Sequence, residues 1–376
     1  MAALTEEQSL IREQASAWVL DKSPVSSFRA LRDSGGGFDD TTWRAMAEMG
    51  WTGILVPEAY GGSNLGFLTF GLVLEQTGRQ LAASPLFASA LVGASSVLLA
   101  GTPAQQEALL PALVAGDAIV TLALDEGTQH RPEQIALTAT ANGSGLRLKG
   151  GKTFVPEGMS ATHFVVAARS SGQPGETTGI SLFLVPADAG GVTRSPMQMV
   201  DSRDYAQVTF NDVAVAESDL LGQPGEAMPV LEEILDRARA GLSAEMLGTA
   251  SQAFDMTLDY LKTREQFGKV IGSFQALGHR AAEMFSLMEQ ARSCAEAALQ
   301  AIDSGASNGP ELASLAKCRV GEFLFDMSKE LIQIHGGIGM TDEFDAGLYL
   351  KRARTLEALY GNRAFHRDRY ATLLGF

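Results

Sequence analysis

Cysteine is scarce in this sequence: Cys294 and Cys318 are the only two among 376 residues. Both fall in helical patterns and their spacing matches no metal or redox motif, so we expect reduced thiols in the core. Basic residues are also few, with 29 lysines and arginines against 44 aspartates and glutamates and a formal net charge of -15. Because nucleic acids are bound by basic surfaces, a nucleic-acid partner is not expected.

Long apolar runs are missing as well. The longest, such as Ile119–Leu124, stop far short of the roughly 20 residues that a membrane span needs. The N-terminal stretch MAALTEEQSLIREQ predicts an acidic amphipathic helix and lacks the basic start and apolar centre of a signal peptide. We therefore expect a cytoplasmic protein without a membrane span.

Several catalytic motifs are absent. The histidines show no i, i+4 pair and no HExxH string, so no metal site is predicted, and no GxSxG elbow marks a serine hydrolase. The string Gly150–Thr153 resembles the end of a P-loop, but Leu146 stands where that loop needs glycine, and we predict a β-turn. Gly336–Gly339 follows a helical pattern instead of a strand, which indicates a helix C-cap and turn.

The pattern changes twice along the chain. Residues 1–117 predict helices broken by loops, residues 118–224 predict a compact antiparallel β-domain, and residues 225–376 return to helical periodicity. The predicted strands are Ala118–Leu124, Ile135–Ala141, Leu146–Lys149, Lys152–Val155, His163–Ala168, Ser181–Val185 and Gln207–Phe210. After a first helix from about Pro229, the remaining bundle helices are predicted at Phe274–Ser304, Pro310–Ile334 and Ala346–Tyr370. The fold class is therefore α+β, with helices, a β-domain and a four-helix bundle in that order.

The string Arg264–Lys269 ends a long helical run and places a guanidinium three residues before the ring of Phe267. At that spacing the two side chains share a helix face. An arginine beside an aromatic ring suits a pyrophosphate with an adenine, although a solvated helix end is the plainer interpretation of the string alone.

Three strings in order together resemble the acyl-CoA dehydrogenase family over essentially the whole chain. They are Trp51–Glu58 with Gly61 and Gly62, Arg264–Lys269 with Ile271–Gln275, and Gln333–Met340. The resemblance implies the fold described above, with FAD bound between subunits and an acyl-CoA oxidised to a 2-enoyl-CoA. In such enzymes a carboxylate removes the α-proton and hydride passes to the flavin. An electron-transferring flavoprotein is the implied acceptor, and a role in fatty acid or steroid catabolism follows.

The resemblance also implies which residues serve the cofactor and the substrate. Arg264 and Phe267 would hold the adenosine-diphosphate half of FAD from one chain, and Gln333, Gly336 and Gly337 from the other. The full set of residues that the resemblance assigns to FAD is Arg264, Phe267, Gln275, Gln333, Gly336, Gly337, Leu124, Asp125, Phe154 and Pro156. Arg239 and Tyr360 match positions along the acyl-CoA path.

The catalytic base expected from the resemblance is missing. One branch of the family carries it just after a tyrosine, where this chain has Gly361, and another carries it at the position of Ala238. Glu245 and Glu357 are weak candidates for a relocated base. Glu245 lies about 10 Å along the helix axis from Ala238, and Glu357 lies about 6 Å from Gly361.

The flavin-ring side departs from the family pattern too. Pro156 stands where many members have a threonine that donates to the flavin, and proline has no N–H. Asp125 replaces another usual threonine. This combination resembles the smaller subunits of heteromeric α2β2 acyl-CoA dehydrogenases, such as the pimeloyl-CoA and steroid side-chain types. A self-sufficient homodimer or homotetramer with a relocated base, and a non-catalytic homologue without flavin, remain alternatives.

Overall fold

The computed structural model describes residues 4–143 and 145–376, and it divides into two compact units. One unit holds Met1–Ala30, Phe67–Ala82 and Arg239–Phe376, and the other holds Leu31–Gly66 and Ala83–Ala238. The first unit contains most of the helices and the second contains the large sheet, so the α+β class predicted from the sequence is confirmed.

Two of the helices begin at capping boxes. Thr5 and Thr102 each accept a backbone N–H three residues later, and a glutamine at that third position returns the hydrogen bond, which satisfies the free N–H groups of a helix start. The part of the predicted first helix that covers residues 1–3 lies outside the described residues. The α-helices of the described part are α1 (Glu6–Lys22), α2 (Val25–Ser34), α3 (Asp40–Glu48), α4 (Gly66–Arg79), α5 (Ala94–Ala100), α6 (Pro103–Val114), α7 (Met228–Thr263), α8 (Gln275–Ser304), α9 (Gly309–His335), α10 (Ala346–Ala358) and α11 (Arg363–Leu373).

The large sheet is mostly antiparallel and runs in the order β6-β7-β3-β2-β4-β5-β8, while β1 pairs in parallel with β4. Its buried side chains, among them Phe164, Phe183 and Phe210, form one apolar core. The strands are β1 (Val120–Ala123), β2 (Thr138–Asn142), β3 (Gly145–Pro156), β4 (His163–Arg169), β5 (Ile180–Pro186), β6 (Val192–Pro196), β7 (Tyr205–Val215) and β8 (Leu220–Leu221), and a separate hairpin joins β9 (Glu265–Gln266) to β10 (Lys269–Val270).

The predicted β-turn at Gly150–Thr153 is wrong. These residues lie inside the single long strand β3, which pairs with β7 on both sides of them. The pairing shifts register between Leu148 and Gly150 and again between Lys152 and Val155. Gly150, with φ +146, therefore borders one bulge in a continuous strand, a role that glycine also commonly has, while the second bulge lies at Thr153 and Phe154.

The predicted helix Ala346–Tyr370 is also wrong, because it is two helices. Helix α10 ends at Ala358 and α11 begins at Arg363. Between them Tyr360 has φ +54 and Gly361 has φ +108, values that no α-helix contains. Helix α9 packs against α8, α10 and α11, so this break lies within the bundle.

None of the helices in the described part of the chain is long and apolar enough to cross a bilayer. No cluster of three or more histidine, cysteine, aspartate or glutamate side chains with metal-binding geometry occurs among residues 4–143 and 145–376. Cys294 and Cys318 are free thiols and are only half-buried, so the expectation that they belong to the core holds in part.

Candidate functional site

Helix α7 is followed by Arg264 and then by the β9–β10 hairpin, which carries Phe267 in its two-residue turn. Phe267, at the tip, has φ +55 and is 90% exposed, which is unusual for a large apolar ring. Arg264 is exposed, and no side-chain hydrogen bond or ion pair engages it within the described residues. The expectation that the two side chains share a helix face is wrong, because α7 ends at Thr263. They instead project from a tight hairpin.

The end of α9 presents bare backbone to solvent. Gly336 caps the helix with φ +63 and ψ -132, a conformation that essentially only glycine adopts. A Cβ built on Gly336 or Gly337 would meet no atom within 4 Å, so open space lies in front of both residues. Gln333 is exposed one turn earlier, and Gln275 is exposed at the first position of α8.

An aromatic stack joins these two ends within one chain. The ring of Tyr260, in the last turn of α7, stacks on His335 at 4.2 Å, and Phe344 covers His335 at 4.6 Å. His335 donates from Nδ1 to the Leu331 carbonyl at 2.8 Å, and burial lowers the pKa of its imidazole. The Arg264 hairpin and Gly336 are therefore neighbours in the same subunit. The expectation that one FAD takes these two contacts from two different chains stays a prediction.

The two β-domain segments that resemble flavin-ring contacts also lie side by side. Leu124 and Asp125 follow β1, and the backbone N–H of Thr153 donates to the Asp125 carbonyl at 2.8 Å. Lys152 is 1% exposed and joins the segments, because its Nζ donates to the Leu124 carbonyl at 2.9 Å and to Glu126 Oε1 at 2.7 Å. Burial lowers the pKa of Lys152, and Glu126 opposes that effect.

The polar groups of these segments are engaged by the protein itself. The Asp125 carboxylate contacts His130 Nδ1 at 3.0 Å, and the Phe154 N–H donates to the sulfur of Met197 at 3.3 Å. The Pro156 carbonyl accepts from Thr121 Oγ1 at 2.7 Å, and Pro156 has no N–H. The exposed hairpin and glycine loop thus fit an adenosine diphosphate, whereas the Asp125 and Pro156 segments do not offer the usual donors to a flavin ring.

Neither position that the resemblance gives for the catalytic base holds an acid. Ala238 is fully buried on α7, and Gly361 lies in the break between α10 and α11. Glu245 is buried and paired with Arg352, whose Nη2 lies 2.5 Å from Glu245 Oε1. Glu357 accepts from the backbone N–H of Arg363 at 3.1 Å and also pairs with its side chain. Each alternative carboxylate is therefore already engaged by an arginine of its own chain.

Arg239 and Tyr360, the two residues matched to the acyl-CoA path, are both buried in the chain. Arg239 is 0% exposed, its Nε lies 3.4 Å from the Tyr360 carbonyl, and its guanidinium sits over the ring of Phe365. Tyr360 is 2% exposed. In this structure Arg239 supports the Tyr360 turn and is closed off from solvent, and its place on the acyl-CoA path stays a prediction.

Lys317 lies beside the Gly361 turn, and the sequence motifs do not point to it. Its Nζ is buried and donates to three carbonyls, those of Leu356 at 2.9 Å, Glu357 at 3.0 Å and Gly361 at 3.1 Å. Burial, opposed by Glu357 and assisted by Arg239, lowers the pKa of Lys317 to about 7. A signal existed, since Lys317 interrupts the apolar stripe formed by Ala313, Val320 and Leu324, but its partners lie 39 to 44 residues away.

We expect Lys317 to make stability rise with pH. An unfolded lysine has a pKa of ~10.4. Between pH 7 and 10 the unfolded chain therefore binds more protons than the folded one, and the free energy of unfolding increases as pH rises. Replacing Lys317 with methionine should remove this gain, about 2 kcal/mol between pH 7 and 9. Urea unfolding of both proteins at pH 7, 8 and 9 measures it, with Lys262→Met as the exposed control. Parallel pH curves for the wild type and Lys317→Met would show that Lys317 does not titrate in this range.

Comparison with known proteins agrees with the fold. The N-terminal, middle and C-terminal domain models of acyl-CoA dehydrogenase match residues 5–117, 125–213 and 226–374. The probable acyl-CoA dehydrogenase YngJ of Bacillus subtilis is 30% identical, with 97% of each chain covered. A variant of the Tcur3481–Tcur3483 steroid ACAD is 33% identical with a TM-score of 0.88 and 98% of each chain covered. The ChsE4–ChsE5 complex from Mycobacterium tuberculosis is 26% identical with a TM-score of 0.90, covering 100% of this chain and 99% of that one.

Proposed function

Because this chain belongs to the acyl-CoA dehydrogenase family, whose members are FAD-binding flavoproteins, we propose that it is one subunit of a heteromeric acyl-CoA dehydrogenase. In this proposal a partner chain of the same fold supplies the catalytic base. The observation that carries the proposal is the state of the base positions. Gly361 and Ala238 have no carboxylate, and Glu245 and Glu357 are already paired with arginines.

In this proposal the two chains contribute different halves of the cofactor site. Arg264, Phe267, Gln333, Gly336 and Gly337 would hold the adenosine-diphosphate half of FAD, with Gln275 beside them. Bound FAD supplies the hydride acceptor for α,β-desaturation of the thioester. The partner would supply the ring-side donors that Asp125 and Pro156 do not offer, and Leu124 and Phe154 would line the weaker ring side. This division favours a flavin-bearing subunit over a homologue without flavin.

The proposal also covers the assembly, the substrate, the electron acceptor, the location and the domains. An α2β2 tetramer with a second dehydrogenase is favoured by the paired names of two similar solved structures, Tcur3481–Tcur3483 and ChsE4–ChsE5. An acyl-CoA is the substrate, an electron-transferring flavoprotein is the electron acceptor, and the cytoplasm is the proposed location. Residues 1–117, 118–224 and 225–376 are the proposed domains.

The proposal is tested by expressing the chain alone and together with the dehydrogenase encoded beside it. With a tag on the partner only, we expect the two chains to copurify and the pair to oxidise acyl-CoA, while this chain alone does not. Full activity of this chain alone would instead support a relocated base. A colourless chain that binds no partner would support a non-catalytic homologue.

Arg264 provides a second test, directed at the cofactor. Its guanidinium is exposed and unengaged within the described residues, and losing a charge-assisted hydrogen bond to a phosphate costs about 1.5–3 kcal/mol. Arg264→Ala should therefore weaken FAD binding by about tenfold to more than a hundredfold. Flavin absorbance after gel filtration at limiting FAD measures this in the pair. Lys262→Ala removes an equal charge near the end of α7 and should retain the flavin, whereas equal retention by Arg264→Ala would contradict the assignment.

A further inference from the structure

In the break between α10 and α11, side chains of α11 occupy the space next to Gly361. A Cβ built on Gly361 would lie 2.4 Å from Phe365 Cδ1, 3.0 Å from Phe365 Cε1 and 2.8 Å from His366 Nε2. Carbon atoms in contact stand about 3.5–4.0 Å apart. The space that any side chain at position 361 would need is therefore already filled by the first turn of α11.

The groups that fill this space are themselves fixed in place. His366 is fully buried, and its Nε2 lies 3.1 Å from the Tyr360 carbonyl, to which it donates. The Phe365 ring packs edge-on against His366 at 5.1 Å and lies under the guanidinium of Arg239 at 5.5 Å. Neither ring can move away without losing these contacts.

The backbone on the other side of the turn is held equally firmly. The Gly361 carbonyl accepts from Lys317 Nζ, which also holds the last carbonyls of α10. The Asn362 side chain caps α11 by accepting the Phe365 N–H at 3.0 Å, which fixes the backbone of Phe365 in the first turn of the helix. Both walls of the turn are therefore anchored, and φ +108 at Gly361 disfavours any other residue.

We propose that the Phe365 ring closes position 361 of this chain to the side chain of a catalytic base. The inference rests on the proposed function and deepens it, because it makes reliance on a partner's base a built feature of the turn. A carboxylate cannot be restored by changing Gly361 alone. It requires removal of the Phe365 ring as well, together with a shift of His366, whose Nε2 would lie 2.8 Å from the new Cβ.

A double-mutant cycle on stability tests this closure without cofactor, substrate or partner. We expect Gly361→Ala to lower the thermal unfolding midpoint by roughly 5 °C more in the wild-type background than in a Phe365→Ala background, because the Phe365 part of the clash is gone in the second, while the His366 contact is common to both. The remaining, shared loss reports the φ strain and the His366 contact. Phe70→Ala, which removes a buried phenylalanine of α4, serves as the control and should give no such coupling with Gly361→Ala. Equal losses in the wild-type and Phe365→Ala backgrounds would overturn the proposal.

A second measurement separates this inference from the proposed function. Gly361→Glu in the full chain with FAD should remain inactive towards acyl-CoA while Phe365 is present. Activity of the single variant Gly361→Glu would overturn the closure by Phe365, yet it would leave intact the conclusion that the wild-type chain lacks a base. Activity of the unaltered chain would instead contradict the proposed function and leave the stability cycle to judge the closure.

Discussion

The purified chain alone should oxidise acyl-CoA thioesters about 10²–10⁴ times more slowly than a complete enzyme of this family, the factor that general-base catalysis typically supplies. Gly361 and Ala238 offer no carboxylate, and the two nearby acids are committed to Arg352 and Arg363. Each carboxylate is held by its arginine, so neither is free to approach an α-proton without breaking that ion pair.

Ferrocenium reduction by the chain with added FAD measures this rate across short, long, dicarboxylic and steroid acyl-CoAs. Glu245→Gln and Glu357→Gln serve as matched variants and should leave the residual rate unchanged. A turnover near 10 s⁻¹, ordinary for enzymes, that disappears in either variant would identify a relocated base and contradict the account.

The second large effect concerns the flavin. In a complex of two chains, one kind of site combines the Arg264 side of this chain with the partner's ring side, and the other uses Asp125 and Pro156. Flavin polar atoms that are buried without partners cost about 1–3 kcal/mol each. The second kind of site should therefore bind FAD about tenfold to more than a hundredfold more weakly.

Titration of the flavin-stripped pair with FAD, followed by flavin fluorescence, measures the two affinities. We expect one tight site for every two chains, and weak binding by this chain alone. Pro156→Thr, which restores an N–H and a hydroxyl, should strengthen the weak site, while Glu157→Gln beside it should not. Two indistinguishable tight sites would contradict the inequivalence.

The order of elements could be predicted from the sequence because the long helices and most strands carry their own periodicity. Helix α6, for example, begins at Pro103 directly after its N-cap Thr102, which are local signals of a helix start. Local patterns failed where distant residues decide the backbone. Pairing with β7 keeps Gly150 and Gly151 in β3, although their local signal predicts a turn.

The candidate site also contains residues that contiguous motifs predict and residues that only the fold brings together. The Arg264 and Gly336 motifs are contiguous strings, and the sequence identified them. Lys317 and Phe365 matter only because α9 brings Lys317 to carbonyls 39 to 44 residues later, and because the chain breaks at Tyr360. The sequence pattern favoured one continuous helix there, so the closed turn could not be anticipated.

Native mass spectrometry of the coexpressed pair, under conditions that retain FAD, tests the central claim most directly because it counts chains and flavins together. The account predicts two copies of this chain, two copies of a partner that carries a glutamate at one of the base positions, and two FAD. A stable homotetramer of this chain with four tightly bound FAD would contradict both the partner and the unequal sites.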